Sequence, residues 1–137
     1  MLEGDARMNN KYSFGKEVEL GFDEAVAKMR EALKPQGFGI LTEIDVAATL
    51  KKKLDKDMPP YMILGACNPP IASKALEVEP SIGVLLPCNV VVRQDGDGKV
   101  FVEIMDPNAV LGMVDAPGIE TLAGDVRQRL EKALEAL

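Results

Sequence analysis

Apolar and polar residues alternate from Tyr12 to Leu20, with Phe14, Val18 and Leu20 at near period two, which predicts an edge strand that Gly21 ends. The period then changes. Phe22, Ala25, Val26, Met29 and Leu33 recur at helical spacing, with Asp23 and Glu24 in the first turn, where the helix dipole favours negative charge. Pro35 and Gly37 stop this helix. Phe38 to Ile44 is a short β-rich run, and Asp45 is placed to cap a second helix whose apolar positions are Val46, Leu50 and Leu54.

Met58-Pro59-Pro60 resets the chain before Tyr61 to Ala66, an apolar run short enough to be a buried strand. Asn68 then caps a third helix with Pro69 as its first residue, and Ile71, Ala72, Ala75 and Leu76 mark its apolar stripe until Pro80. Pro87 separates the lead-in Ile82 to Leu86 from a strand running from Cys88 to Gln94, because proline is poorly tolerated inside a central strand. Asp95-Gly96-Asp97-Gly98 joins that strand to Lys99 through Met105 as a β-hairpin. Asp106-Pro107 starts a short helix ended by Gly112, and Asp115-Ala116-Pro117 introduces a last helix with Ile119, Leu122, Val126, Leu130 and Leu134 facing the core. Strand–helix steps followed by a hairpin and terminal helices define an α+β domain, one sheet with helices packed mainly on one face. The face carrying Val91, Phe101 and Met105 is then partly apolar and uncovered, which predicts a homodimer.

Composition narrows the chemistry. The 137 residues fit one domain, taken as residues 12–137 behind a disordered leader of residues 1–11, and no apolar stretch is long enough to span a membrane. The leader lacks the apolar core of a signal peptide, so a cytoplasmic protein is expected. A net charge of −6 opposes binding to nucleic acid or to an anionic membrane surface. The basic run Lys51-Lys52-Lys53, flanked by acidic residues, reads as a solvated helix face. There is no histidine, which removes Ser-His and Cys-His mechanisms within one chain, and two cysteines alone cannot complete the usual four-ligand zinc site. The hairpin loop resembles the centre of an EF-hand, but aligning Asp95, Asp97 and Gly98 puts Arg93 first and Ile104 last, where acidic ligands are required. No motif calls for a cofactor or a metal.

One repeated feature remains. The only two cysteines, Cys67 and Cys88, are each followed by asparagine and each set near proline, in Gly65-Ala66-Cys67-Asn68-Pro69-Pro70 and Leu86-Pro87-Cys88-Asn89-Val90. Proline fixes the backbone and asparagine satisfies groups that a turn leaves open, so both segments look geometrically specified. Three readings stand side by side. Cys67, Asn68, Cys88 and Asn89 can line the cleft of a small-ligand binding module, since such sites combine an apolar wall with a few placed polar groups. Cys67 can serve a thiol-based redox or sulfur-transfer enzyme, its pKa lowered at the start of a helix. Or both cysteines are structural, buried as small hydrophobes beside Asn68 as a cap and Asn89 as a turn residue. The paired carboxylates Glu43 with Asp45 and Asp95 with Asp97 read as a strand end with its cap and as a turn.

Leu64-Gly65-Ala66-Cys67-Asn68-Pro69, Leu85-Leu86-Pro87-Cys88-Asn89-Val90-Val91-Val92 and Met105-Asp106-Pro107, together with Gly37-Phe38-Gly39-Ile40 and Glu43-Ile44-Asp45-Val46, carry a likeness to a known group. From about Tyr12 onward the chain resembles the prokaryotic family called domain of unknown function 302. The resemblance implies an α+β fold like that of the TATA-binding protein, with helices against a curved, mainly antiparallel sheet. It implies no reaction and no catalytic residue, and a shared fold does not bring DNA binding with it.

Overall fold

A computed structural model describes residues 10–137, so most of the expected leader lies outside the described residues. Asn10, near its end, is engaged: its Oδ1 accepts the backbone N–H groups of Tyr12 at 3.0 Å and Ser13 at 2.7 Å and the Ser13 hydroxyl at 2.9 Å. That turn feeds β1 (Ser13–Val18), followed by α1 (Phe22–Leu33) and a short 3₁₀ turn, Lys34–Gln36. β2 (Gly39–Asp45), α2 (Val46–Leu54), β3 (Tyr61–Cys67) and α3 (Pro69–Val78) come next. A second 3₁₀ segment, Pro80–Leu85, leads to β4 (Cys88–Gln94) and β5 (Val100–Met105), and the chain closes with α4 (Pro107–Leu111) and α5 (Ile119–Glu135).

The five strands form one antiparallel sheet in the order β1-β5-β4-β3-β2, which makes β1 an edge strand as the alternation predicts. Period-two alternation sends Leu64, Ala66, Cys88, Val90, Val92, Val102 and Ile104 to one face, where they are buried against Ala25, Met29 and Leu33 of α1 and Val126, Leu130 and Ala133 of α5. This is the main core. A smaller cluster, Ala75, Ile82, Leu111, Ile119 and Ala123, gathers α3, the second 3₁₀ segment, α4 and the start of α5. β2 carries a bulge at Leu41, where the pairing shifts between Ile40 and Thr42.

The capping expectations are met. Asp45 accepts from Ala48 N–H at 2.8 Å, and Asn68 accepts from Ile71 N–H at 3.3 Å. Two helices bury less than their stripes predict. Val46 and Leu50 of α2 are only half-buried and Leu54 is 67% exposed, because this short helix packs chiefly against β2 and β3 at one end of the sheet. On α3 only Ala75 is buried, while Ile71 and Ala72 are half-buried and Leu76 is exposed. Those three residues face a cavity.

Candidate functional site

Where the main core and the smaller cluster fail to close against each other, they leave a cavity of about 330 Å³. The sheet side of its wall is Ala66, Cys67 and Cys88, and α3 contributes Ile71, Ala72, Ala75 and Leu76. Leu86 and Pro87, joined by a cis peptide bond, form a third side, and Leu111, Ile119, Leu122 and Val126 a fourth. Phe38 and the bulged Leu41 complete it. Among the described residues no charged side chain lines it.

Asn68 anchors the rim. It is 8% exposed, the one buried polar or charged residue among the described residues. Its Oδ1 caps α3, and its Nδ2 donates to the Gln36 carbonyl at 3.4 Å, an oxygen that also accepts from Arg129 Nη1 at 3.1 Å. Gly37 makes this approach feasible: its φ of +87° is the left-handed region, and a Cβ there would stand 2.8 Å from Asn68 Nδ2. Asn68 therefore ties the ends of β3, the turn after α1 and α5 together at one point.

The first turn of α3 offers a ligand nothing to hydrogen-bond. Pro69 and Pro70 lack N–H groups, Ile71 N–H is held by Asn68 Oδ1, and Ala72 N–H by the Asn68 carbonyl at 2.9 Å. This answers the expectation that the helix start lowers the Cys67 pKa. Burial instead pushes the Cys67 thiol up, with no free amide to oppose it. Cys88 goes further, to about 11, through burial and the nearby charge of a Cys67 thiolate. Both cysteines are free thiols.

Of the four residues singled out in the sequence, the structure brings Cys67, Asn68 and Cys88 together and separates Asn89 from them. Ala66 pairs across from Cys88, and Gly65 from Asn89, so alternation turns Asn89 to the opposite face of the sheet. There it lines a shallower concavity of about 600 Å³ with Tyr12, Tyr61, Val91, Met105 and the ion pair Arg93–Glu103, whose Nε–Oε1 distance is 2.5 Å. Phe101 on that face is buried beneath the Arg93 guanidinium, 4.7 Å from the ring centroid. The remaining carboxylates have the local roles their positions suggest: Glu43 pairs with Arg30, Asp45 caps α2 and Asp95 holds the hairpin turn. Among the described residues no group of three or more His, Cys, Asp or Glu is placed to hold a metal.

Sequence reasoning missed most of the wall, because Phe38, Leu86, Leu122 and Val126 are contributed by elements distant in the chain. One signal was present. Ala72, Ala75 and Gly83 are small residues where α3 and the segment after it face other elements, and small residues leave space.

The architecture defines an α+β domain, one antiparallel sheet with its helices on one side and an apolar cavity at the end of its inner strands. The chain belongs to the family described as domain of unknown function DUF302, which matches residues 14–137. It is also similar to an uncharacterized conserved DUF302 protein from Bacillus stearothermophilus, known from a crystal structure. That likeness has 31% sequence identity and a TM-score of 0.84, and covers 90% of this chain and 96% of the other. Among curated proteins no relative matches. No activity is established for the family members found, and among the described residues no helix is long and apolar enough to cross a membrane.

Proposed function

We propose that the chain is a binding protein for a small, uncharged, predominantly apolar molecule held in the cavity between β3, α3 and α5. The observation that carries this is the wall itself: apolar apart from Asn68 and the two thiols, without a charged group among the described residues, and closed by a helix start whose amides are absent or already bonded. Its volume lies at the lower end of the ~300–1,000 Å³ usual for ligand pockets. An anion would lose its hydration there without gaining donors. Asn68, held at both ends of its amide, shapes the rim rather than recognising a charge.

The neutral fluorophore N-phenyl-1-naphthylamine tests this directly. Its emission should rise and shift to the blue with the native protein, and Ala72→Trp, which fills the cavity from the half-buried side of α3, should abolish the change while the thermal transition persists. Equal emission from the filled variant would overturn the reading.

We further propose that the protein acts in the cytoplasm as a homodimer joined through the outer sheet face. Free cysteines and an acidic surface suit that compartment. The face suits self-association because Tyr12, Tyr61 and Met105 surround neighbouring opposite charges, Arg93 and Glu103, a pattern complementary to its own two-fold copy. Light scattering should give twice the chain mass, and a monomer at every concentration would overturn it.

A further inference from the structure

The cavity's shape is set by what α3 does not carry. Ala72 and Ala75 lie one turn apart on α3 and share the cavity with Ile119, Leu122 and Val126 of α5, the helix against which α3 packs. Helices in contact run with their axes about 8–10 Å apart, a gap that leucine-sized side chains close. Two alanines in that row leave a trough about one side chain wide. Along α5 it extends from Ile119 to Val126, a span of about 10 Å at the helical rise of ~1.5 Å per residue. One end is shut and the other open: Leu111 and Ile119 are buried, whereas Leu41 and Leu76 are exposed.

Resting on the reading of this cavity as an apolar binding site, we propose that its ligand is an unbranched aliphatic chain of roughly eight to eleven carbons with an uncharged polar end, such as a primary alcohol, aldehyde or ester. Length sets the lower bound. With C–C bonds of ~1.5 Å an extended chain advances about 1.3 Å per carbon, so roughly eight carbons fill the span along α5. Volume sets the upper bound, because 330 Å³ holds about eleven groups of the ~30 Å³ that one water occupies, close to the size of a methylene. The tail points to Leu111 and Ile119, and the polar end stays in water between Leu41 and Leu76, since the start of α3 has no free amide to receive it. Each methylene that enters strengthens binding roughly fourfold, and carbons beyond the filled trough gain nothing. A caged molecule with as many carbons is too wide for a row one side chain across. Ile119, at the shut end, determines how long a chain is accepted.

The test is a series of straight-chain primary alcohols from butanol to tetradecanol on the wild-type protein, each below its solubility limit. Affinity is read by displacement of N-phenyl-1-naphthylamine and, independently of that probe, by titration calorimetry. It should rise roughly fourfold per methylene and stop rising between octanol and undecanol. 1-Adamantanol, a cage with as many heavy atoms as 1-decanol, should bind roughly tenfold more weakly than decanol or worse. Ile119→Ala, with circular dichroism reporting its fold, should open the shut end and move the break to alcohols about two or three carbons longer. If that variant does not fold, Leu111→Val should move it by about one carbon. Affinity that keeps climbing through tetradecanol, adamantanol binding as well as decanol, no binding by any alcohol, or an unmoved break in a folded variant would each overturn the proposal. Alcohols that fail while the naphthylamine still binds remove only the linear ligand, whereas failure of both removes the apolar site as well.

Discussion

Asn68 Nδ2 donates to the Gln36 carbonyl across 32 positions of sequence, while the same amide's Oδ1 caps the helix that starts beside it. One side chain thus closes a local turn and a long-range junction together. Asn68→Ala should lower stability by about 1–2 kcal/mol in denaturant unfolding, ~1 of it the lost cap. The upper bound is modest because Gln36 keeps its bond from Arg129.

Gly37→Ala should cost more than Gly98→Ala. Both glycines have positive φ, +87° and +84°, so both variants pay for a left-handed alanine, but only at position 37 does the new Cβ meet Asn68. The excess should be roughly 1 kcal/mol. In an Asn68→Ala background that excess should vanish, which a double-mutant cycle of melting measurements would read directly.

The fold is legible in the sequence wherever one element decides its own shape. Asp45, Asn68 and Asp106 sit one residue before helices and accept from those helices' first turns, and Val100, Val102 and Ile104 alternate toward the core as their spacing dictates. The site is only half legible. Cys67 and Cys88 do line one cavity, but their place on it is set by the β3–β4 register, and the same register sends Asn89 away to the other face. The repeated Cys-Asn pair suggests one role for two asparagines, whereas Asn68 has left its strand and Asn89 remains in one. The α3 stripe also misleads, since Ile71 and Leu76 are apolar for a cavity rather than for a sealed core.

Cys88 should make stability fall at alkaline pH. Its thiol rises from an ordinary 9.0 to about 11 in the native state, so below pH 9 both states keep the proton and the group has no effect. Between pH 9 and 11 the unfolded chain loses a proton that the native chain retains, and stability drops by about 1.4 kcal/mol per unit before levelling off above 11. Comparison of wild type with Cys88→Ala over this window isolates the contribution. Parallel slopes would show that the thiol ionises as easily in the fold as outside it.

Calcium should leave the melting temperature unchanged. Asp95 Oδ1 is already committed to the N–H groups of Asp97 and Lys99, both at 2.9 Å, which makes the hairpin loop a self-contained turn. Differential scanning calorimetry with calcium and with a chelator checks this, and Asp95→Ala should destabilise by about 1 kcal/mol through the lost turn bonds.

The bulge at Leu41 reaches beyond the cavity it helps to line. β2 is the edge strand opposite β1, and nearly all of it is exposed, including Ile44, so it offers unpaired backbone groups to any passing chain. An extra residue in the middle of that border breaks the even spacing a newcomer strand would need to zip along it. The same residue that gives the cavity one of its walls thus also guards the protein against runaway strand addition, and removing it to regularise β2 should yield a chain that folds but aggregates from that border.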